Sequence, residues 1–329
     1  MNHVIITTIN PLNDNIKQFT KIDNFRTIII GDVKSSVYEY ENLIFLSIED
    51  QMHLEYESIK TIPKNHYSRK NIGYLYAIDN NSDIIYESDD DTFIQNVDYI
   101  KNIKFNSNKN ISSIDSNTIN IYKFFTEKNI WHRGFDLTKI NDELKYTEDD
   151  KFSNIGVWQG LINGDTDVDA IYRLTNKDIN IKFEDNIELS LNKGTYSPFN
   201  TQNTLWRKEC FPLLYLPISV NFRFTDILRG YVAQRIMWEY QYLLGVHSPD
   251  VFQIRNHHNY FKDFLDEISM YIAIPKLMDI LNNIKLTGKS MTEDLYLIYK
   301  GLYDENIVMI DELSSVKNWI KDYEKLNNR

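Results

Sequence analysis

Three consecutive aspartates, Asp89-Asp90-Asp91, follow the apolar run Ile84-Ile85-Tyr86 with only Glu87 and Ser88 between them. Adjacent carboxylates repel one another, and each raises the cost of folding unless a cation neutralises it. Oxygen-only ligands favour a hard ion such as Mg²⁺ or Mn²⁺, whose remaining coordination positions a diphosphate can fill. Alternate residues of an extended segment point the same way, so the spacing predicts that Asp89 and Asp91 face the ion together. A solvated acidic loop is the competing reading of the same triplet. Asp32 closes another apolar run, where its carboxylate would accept hydrogen bonds from a base or ribose or serve a turn. Arg69 and Lys70 open a predicted helix whose positive N-terminal end attracts phosphate; a solvated face is the alternative.

The elements that must position these groups are legible in the first ninety residues. Val4–Ile9, Thr27–Ile30, Leu43–Ile48 and Ser82–Tyr86 are apolar runs, each stopped by a polar or turn-forming pair. Ser68–Ile78 carries apolar residues at helical spacing. Continuous apolar runs separated by helices predict an α/β fold with a mostly parallel, buried central sheet. Ligands of such sheets sit beyond the carboxyl ends of the strands, where Asn10, Asp32 and Asp89–Asp91 all fall. Residues 95–225 read as short strands and loops. From Asp226 the pattern turns helical: one long helix over Ile227–Leu244, then Tyr260–Ile284, Met291–Leu302 and Ile310–Leu326. The expected division is a ligand-binding half over 1–110, a second half of the same domain over 111–259, and a helical C-terminal extension over 260–329.

The chain has 329 residues, 42% of them hydrophobic, and a formal net charge of −11. That apolar share supports a core and excludes wholesale disorder. The acidic balance argues against binding to nucleic-acid polymers, which calls for a basic surface. Cys210 is the only cysteine, so neither an intrachain disulfide nor a cysteine-built zinc site is possible. Neither a signal-peptide pattern nor an apolar run of about 18 residues is found, and the expected address is cytoplasmic. A homo-oligomer is compatible with this reading.

Taken together, several segments resemble the STELLO family, glycosyltransferases with a GT-A-type (Rossmann-like) nucleotide-sugar domain. They are Thr7-Thr8-Ile9-Asn10-Pro11, Gly31-Asp32-x-Lys34, Ser47-x-Glu49-Asp50-Gln51, Arg69–Ile78 and Asp89–Asp91. Downstream come Arg133-Gly134-Phe135, Asp167–Leu174, Pro198–Thr204 and Asp226-Ile227-x-Arg229-Gly230-Tyr231-x-x-Gln234-Arg235. A more distant similarity, to plant UDP-arabinopyranose mutases, rests on Asp89–Asp91, Arg133-Gly134-Phe135, Asp167–Ala170 and Gly194-Thr195-x-x-Pro198. In that family the arginine of the Arg-Gly motif is self-glycosylated, which falls on Arg133. Its second arginine, seven positions on, is replaced here by Ile140.

The resemblance implies a metal-dependent enzyme that takes a nucleoside-diphosphate sugar, UDP-linked, and an unidentified sugar or glycan acceptor. Asp89, Asp91 and His258, or its neighbour His257, would hold Mn²⁺ or Mg²⁺. Thr8, Asn10, Asp32, Lys34, Arg69, Lys70, Asn71 and Asp90 would bind the donor. Arg133 would clamp the diphosphate and stabilise the leaving group, or be an ordinary paired arginine. Trp158, Asp167, Asp169, Asn200, Gln202 and Asn203 would contact sugar, amides and carboxylates being suited to hydroxyls. A capped turn competes for Asp167 and Asp169, and Trp206 could stack on a sugar or base, although a tryptophan is more often core. Gly164–Asp169 is not a calcium loop, because Ala170 and Asn176 occupy positions where an EF-hand needs Gly and an acid. Asp226 would act as general base on the acceptor, orient it, or simply cap the helix. A mutase-like isomerase, a non-catalytic scaffold, and a Mg²⁺-dependent nucleotidyltransferase or nuclease are the competing functions.

Overall fold

The computed structural model describes residues 1–177, 179–254 and 259–328. In chain order the elements are β1 (Asn2–Thr7), α1 (Asp14–Phe19), β2 (Phe25–Ile30), β3 (Leu43–Leu46), α2 (Ile48–His53), α3 (Lys70–Asp79) and β4 (Ile84–Ser88). There follow β5 (Thr92–Ile94), α4 (Val97–Asn102), β6 (Asn106–Ser107), β7 (Asn110–Ser113), β8 (Tyr146–Asp149) and β9 (Ser153–Gly164). Next are α5 (Ala170–Thr175), β10 (Glu188–Leu191), β11 (Asn203–Arg207), α6 (Phe222–Met237) and β12 (Tyr242–Gln253). The chain closes with α7 (Tyr260–Asn283), α8 (Met291–Asp304) and α9 (Ile310–Asn327).

One sheet runs in the order β3-β2-β1-β4-β11-β9-β12-β10-β7-β8, with β5 on β12 and β6 on β9. The fold is α/β and Rossmann-like, as the apolar runs predict. Its first four neighbours, β3, β2, β1 and β4, are parallel. Beyond β4 the sheet is mixed, since β11 runs antiparallel to both β4 and β9. Val4–Ile6, Ile28–Ile30 and Ile85–Tyr86 are fully buried, as strands covered on both faces must be. Helix α3 lies so close to them that a Cβ on Gly73 would stand 2.8 Å from side-chain atoms of Ile5 and Ile30.

The long helix begins and ends earlier than its periodicity predicts. Asn221 is its N-cap, accepting from the Arg223 backbone N–H, so Asp226 lies inside the first turns and does not cap. The helical path stops at Gln241, whose φ is 61°, and Leu244 belongs to strand β12. Periodicity missed this because Tyr242–Val246 is apolar on both faces and fits a buried strand or helix alike.

Helices α7, α8 and α9 pack beside α6 and α3, and α9 braces the segment that leads into α6. The Glu312 carboxylate accepts from Tyr215 Oη (2.5 Å), the Ile218 N–H, and both the N–H and hydroxyl of Ser219. Glu312→Ala leaves these donors without an acceptor, at about 1–3 kcal/mol for each one left unsatisfied. Ile218 and Ser219 are partly exposed and reach water, whereas the Tyr215 hydroxyl is buried, so a net loss of about 2–5 kcal/mol is expected in urea unfolding at pH 7; a change under about 1 kcal/mol would mean water replaces the carboxylate at no cost.

Candidate functional site

The strand order reverses between β1 and β4, since β1 continues to β2 and β3 on one side and pairs with β4 on the other. The carboxyl ends of these two strands form the switch-point crevice where open α/β sheets bind ligands. Thr8 and Asn10 follow β1, and Asp89–Asp91 follow β4.

Asp90 joins the two ends. Its carboxylate accepts from Thr8 Oγ1 and from Asn10 Nδ2 (2.8 Å), and its carbonyl from Asn13 and Asn15 Nδ2. Asp89 and Asp91, one position to either side, line a cavity of about 170 Å³. Tyr67, Arg133, Asp167, Gln202, Phe222, Arg223, Asp226 and Gln253 complete its lining. Asp89 and Asp91 share this cavity through a turn and not through an extended backbone, since Asp90 and Asp91 are turn residues and the Thr92 N–H donates back to the Asp89 carbonyl (3.4 Å). Gln253 Nε2 donates to Asp91 Oδ1 at 3.0 Å, and the Lys70 ammonium stands 3.6 Å from Asp89 Oδ1. Burial pushes the Asp89 carboxyl up to about 7; Lys70 pulls it down, and the neighbouring carboxylates of Asp91, Asp90 and Asp226 push it up again. The single ammonium of Lys70 does not offset burial together with three neighbouring carboxylates.

Both arginines of the cavity are already paired. Arg133 Nε and Nη2 donate to Asp167 (2.9 and 2.8 Å), and Nη1 and Nη2 donate to Asp226 (3.0 and 2.8 Å). Nη1 also donates to the Arg223 carbonyl, so all five N–H groups of the guanidinium are engaged. Asn200 Nδ2 donates to Asp167 from behind (2.8 Å). Arg223 pairs with buried Glu267 of α7. Gly134 turns this segment at φ 84° with no room for a side chain, since a Cβ there would clash with Ile227 Cγ2. The Arg133 guanidinium therefore holds two carboxylates in place and has no N–H free for a diphosphate.

Several residues expected at the site do other work. Arg69 is buried with its guanidinium on Gln51 Oε1. Lys70 is fully buried beneath the cavity, donating to the Ser88 and Thr201 carbonyls. Asn71 forms a two-way amide pair with the Leu216 backbone. Asp169 caps α5 and accepts from Trp131 Nε1. Trp158 sits inside the sheet, its indole N–H on the Lys104 carbonyl. Trp206 is core too, donating to Glu87 and lying under the Arg229 guanidinium. None of these lines the cavity, because each has its polar atoms turned to partners within the fold. Asp32, half-buried, accepts from the backbone N–H groups of Val33, Asn65 and His66 and so ties two loops at the edge of the crevice. Lys34 is exposed. His257 and His258 lie outside the described residues.

Tyr67, Phe222, Arg223 and Gln253 line the cavity without having been read from the sequence. Phe222 and Arg223 precede Asp226 by four and three positions, one helical face, and a helix start placed at Phe222 would have found them. Gln253 ends a strand, the position already used to select Asp32 and Asp89.

Asn203 points away, into the sheet, accepting from Tyr86 Oη and donating to Asp250 Oδ1 (2.6 Å). Asp250 is buried, its Oδ2 has no partner, and burial pushes its carboxyl up to about 7. A carboxyl raised in the fold contributes stability fully present below its unfolded pKa, near 3.9, and lost as pH rises through about 7. Asp250→Asn, which cannot ionise, is expected to flatten the stability decline between pH 4 and 8 and to gain up to a few kcal/mol at pH 8. An unchanged pH slope in urea titrations would show that Asp250 is ionised at no cost.

Among the described residues, no group of three or more His, Cys, Asp or Glu stands close enough to hold a metal by itself, and no helix is long and apolar enough to cross a membrane. In comparisons with known proteins, residues 223–329 match the family model of the STELLO glycosyltransferases. The chain is 25% identical to the "Probable glycosyltransferase STELLO1" of Arabidopsis thaliana over 97% of its length, and 28% identical to STELLO2 of the same plant over 84%. It spans 44% and 39% of those two proteins, respectively.

Proposed function

From the similarity of the chain to the STELLO glycosyltransferases, we propose that it belongs to that family and that the acidic cavity is the donor site of a metal-dependent, GT-A-type glycosyltransferase using a UDP-linked sugar. One observation carries this reading. Asp89 and Asp91 project into a single cavity at the switch point while Asp90 is turned away to tie β1 to β4. Four carboxylates line the cavity against two guanidiniums, both of them paired. A diphosphate, itself anionic, enters such a place only with a cation.

The donor atoms suit a hard divalent ion. Asp89 and Asp91 offer two carboxylates, and phosphate oxygens and water would complete the six oxygen positions Mg²⁺ prefers. When bound, the ion neutralises charge on the departing diphosphate. At about 170 Å³ the cavity is below the roughly 300–1,000 Å³ of typical ligand pockets, so it takes the diphosphate and sugar while the nucleoside lies outward, along Thr8 and Asp32.

Asp226 faces the acceptor side. Its Oδ1 accepts from Arg133 and from the Ile227 N–H, whereas Oδ2 accepts from Arg133 and keeps one lone pair. Held in this way it orients an acceptor hydroxyl and receives its proton late. Gln202 and Gln253, joined at 3.4 Å, offer amide groups to the sugar. Ring isomerisation by a mutase is the less supported reading, since self-glycosylation of Arg133 would have to break its pairing with Asp167 and Asp226.

Thermal unfolding with UDP, GDP, CDP and ADP, each with and without Mn²⁺, tests the assignment. Ligand at about one hundred times its dissociation constant adds roughly 2.7 kcal/mol. Stabilisation by UDP that requires Mn²⁺ is expected; no shift with any nucleotide would remove the donor site.

A further inference from the structure

Helix α7 is apolar on two faces. Met270, Ile274, Leu277 and Leu281 are buried on the inner one. On the outer face Phe261, Leu265, Ile268 and Ile272 are 72, 66, 37 and 68% exposed. Their 4-3-4 spacing is the a/d seam by which one helix packs on another, and a helix apolar on both faces is built to be covered on both. Met309, 67% exposed, continues the patch, and Phe222, 46% exposed, lies beside it, where Asn221 bonds Asp266. With roughly 150–200 Å² for each large apolar side chain, these six expose on the order of 600 Å². That reaches the lower range of one partner's share in a specific interface, about 600–1,000 Å², and the upper range for the largest apolar patch on a monomer.

The two ends of the seam are unlike. Phe261 protrudes at one end, whereas at the other Ile272 and Met309 border an apolar groove of about 580 Å³. A two-fold axis through the middle of the seam, between Leu265 and Ile268, brings each Phe261 over the partner's groove and sets Leu265 against Ile268. A patch with a knob at one end and a hole at the other is self-complementary under that operation.

We propose that this face binds a second copy of the chain, forming a two-fold dimer through α7. The second copy then stands at the rim of the acidic cavity, which Phe222 lines. Each copy carries a net charge of −11, so the contact is apolar against like-charge repulsion, and salt strengthens it by screening.

Sedimentation velocity of the nucleotide-free protein from 0.5 to 100 µM, at low salt and at 0.5 M NaCl, reads the association directly and does not depend on what the cavity binds. The expected result is a monomer–dimer equilibrium that tightens with salt. Leu265→Asp, present twice in each dimer, should weaken it by roughly 100-fold or more. Because the side chain is exposed the variant should keep its fold, checked by circular dichroism; Ile272→Ser, milder, should weaken it less. A monomer at every concentration, or a dimer that Leu265→Asp leaves intact, overturns the proposal. A monomer that floats with phosphatidylcholine vesicles also overturns it, assigning the face to lipid.

Discussion

Arg133→Ala is expected to lower stability by about 3–5 kcal/mol, the cost of breaking a buried ion pair by removing one partner. Its guanidinium is 6% exposed and holds Asp167 and Asp226, both equally buried; without it two carboxylates are left in a water-poor place. Arg133→Lys should recover little, because one ammonium cannot reproduce five N–H donors in a planar fork. The pH dependence separates this account from simple loss of packing. In the wild type, burial would raise the Asp167 carboxyl, and Arg133 more than reverses this, holding it below the usual carboxylate range. A depressed pKa contributes stability present above the unfolded value and lost as pH falls through the folded one. In the alanine variant burial is unopposed, the pKa rises, and the sign inverts: stability is present below about pH 4 and declines as pH rises. Urea unfolding between pH 4 and 8 should therefore show the gap between variant and wild type closing toward acid. A gap constant with pH would mean that the carboxylates are not what the loss exposes.

Asp91→Asn is expected to abolish Mn²⁺-dependent stabilisation by UDP, the whole of the roughly 2.7 kcal/mol that ligand at one hundred times its dissociation constant supplies, while leaving the unliganded protein as stable as before. Asp91 accepts a hydrogen bond from Gln253 that an asparagine oxygen can also accept. What the amide cannot supply is charge for the cation. Asp90→Asn should behave differently: its carboxylate receives Thr8 and Asn10, so the expected loss falls on the β1–β4 tie and on stability without ligand. Equal behaviour of the two variants would mean that the triplet acts only as an acidic loop.

The parallel half of the sheet was legible because Val4–Ile6, Ile28–Ile30 and Ile84–Tyr86 are continuous apolar runs, a pattern buried parallel strands impose on sequence. That Asp89 and Asp91 face one cavity was expected from extended alternation, but the fold achieves it with a turn over Asp89–Thr92, which an apolar run followed by three aspartates does not announce. The partners of Arg133 were not. Asp167 and Asp226 lie 34 and 93 positions away, and nothing local in His132-Arg133-Gly134 states which carboxylates the fold brings to it. The same holds for Asn71 with Leu216 and for Glu312 with Ser219. Side chains of this kind read as binding residues because the groups that satisfy them are supplied by topology. The end of α6 was missed for a local reason: Gln241 takes a left-handed conformation that glutamine rarely announces, and the apolar run after it fits either periodicity.

Cleavage of the sugar–diphosphate bond at the acidic cavity is the most direct test of a metal-dependent donor site. The protein would be incubated with UDP-linked hexoses and pentoses, and free UDP measured by mass spectrometry with Mn²⁺, with EDTA, and with Mn²⁺ restored. The predicted result is UDP release from one donor, even if slow transfer to water, that EDTA stops, Mn²⁺ restores and Asp91→Asn lacks. Intact donors throughout, or release that EDTA and Asp91→Asn leave unchanged, would contradict a metal-dependent donor site at Asp89 and Asp91.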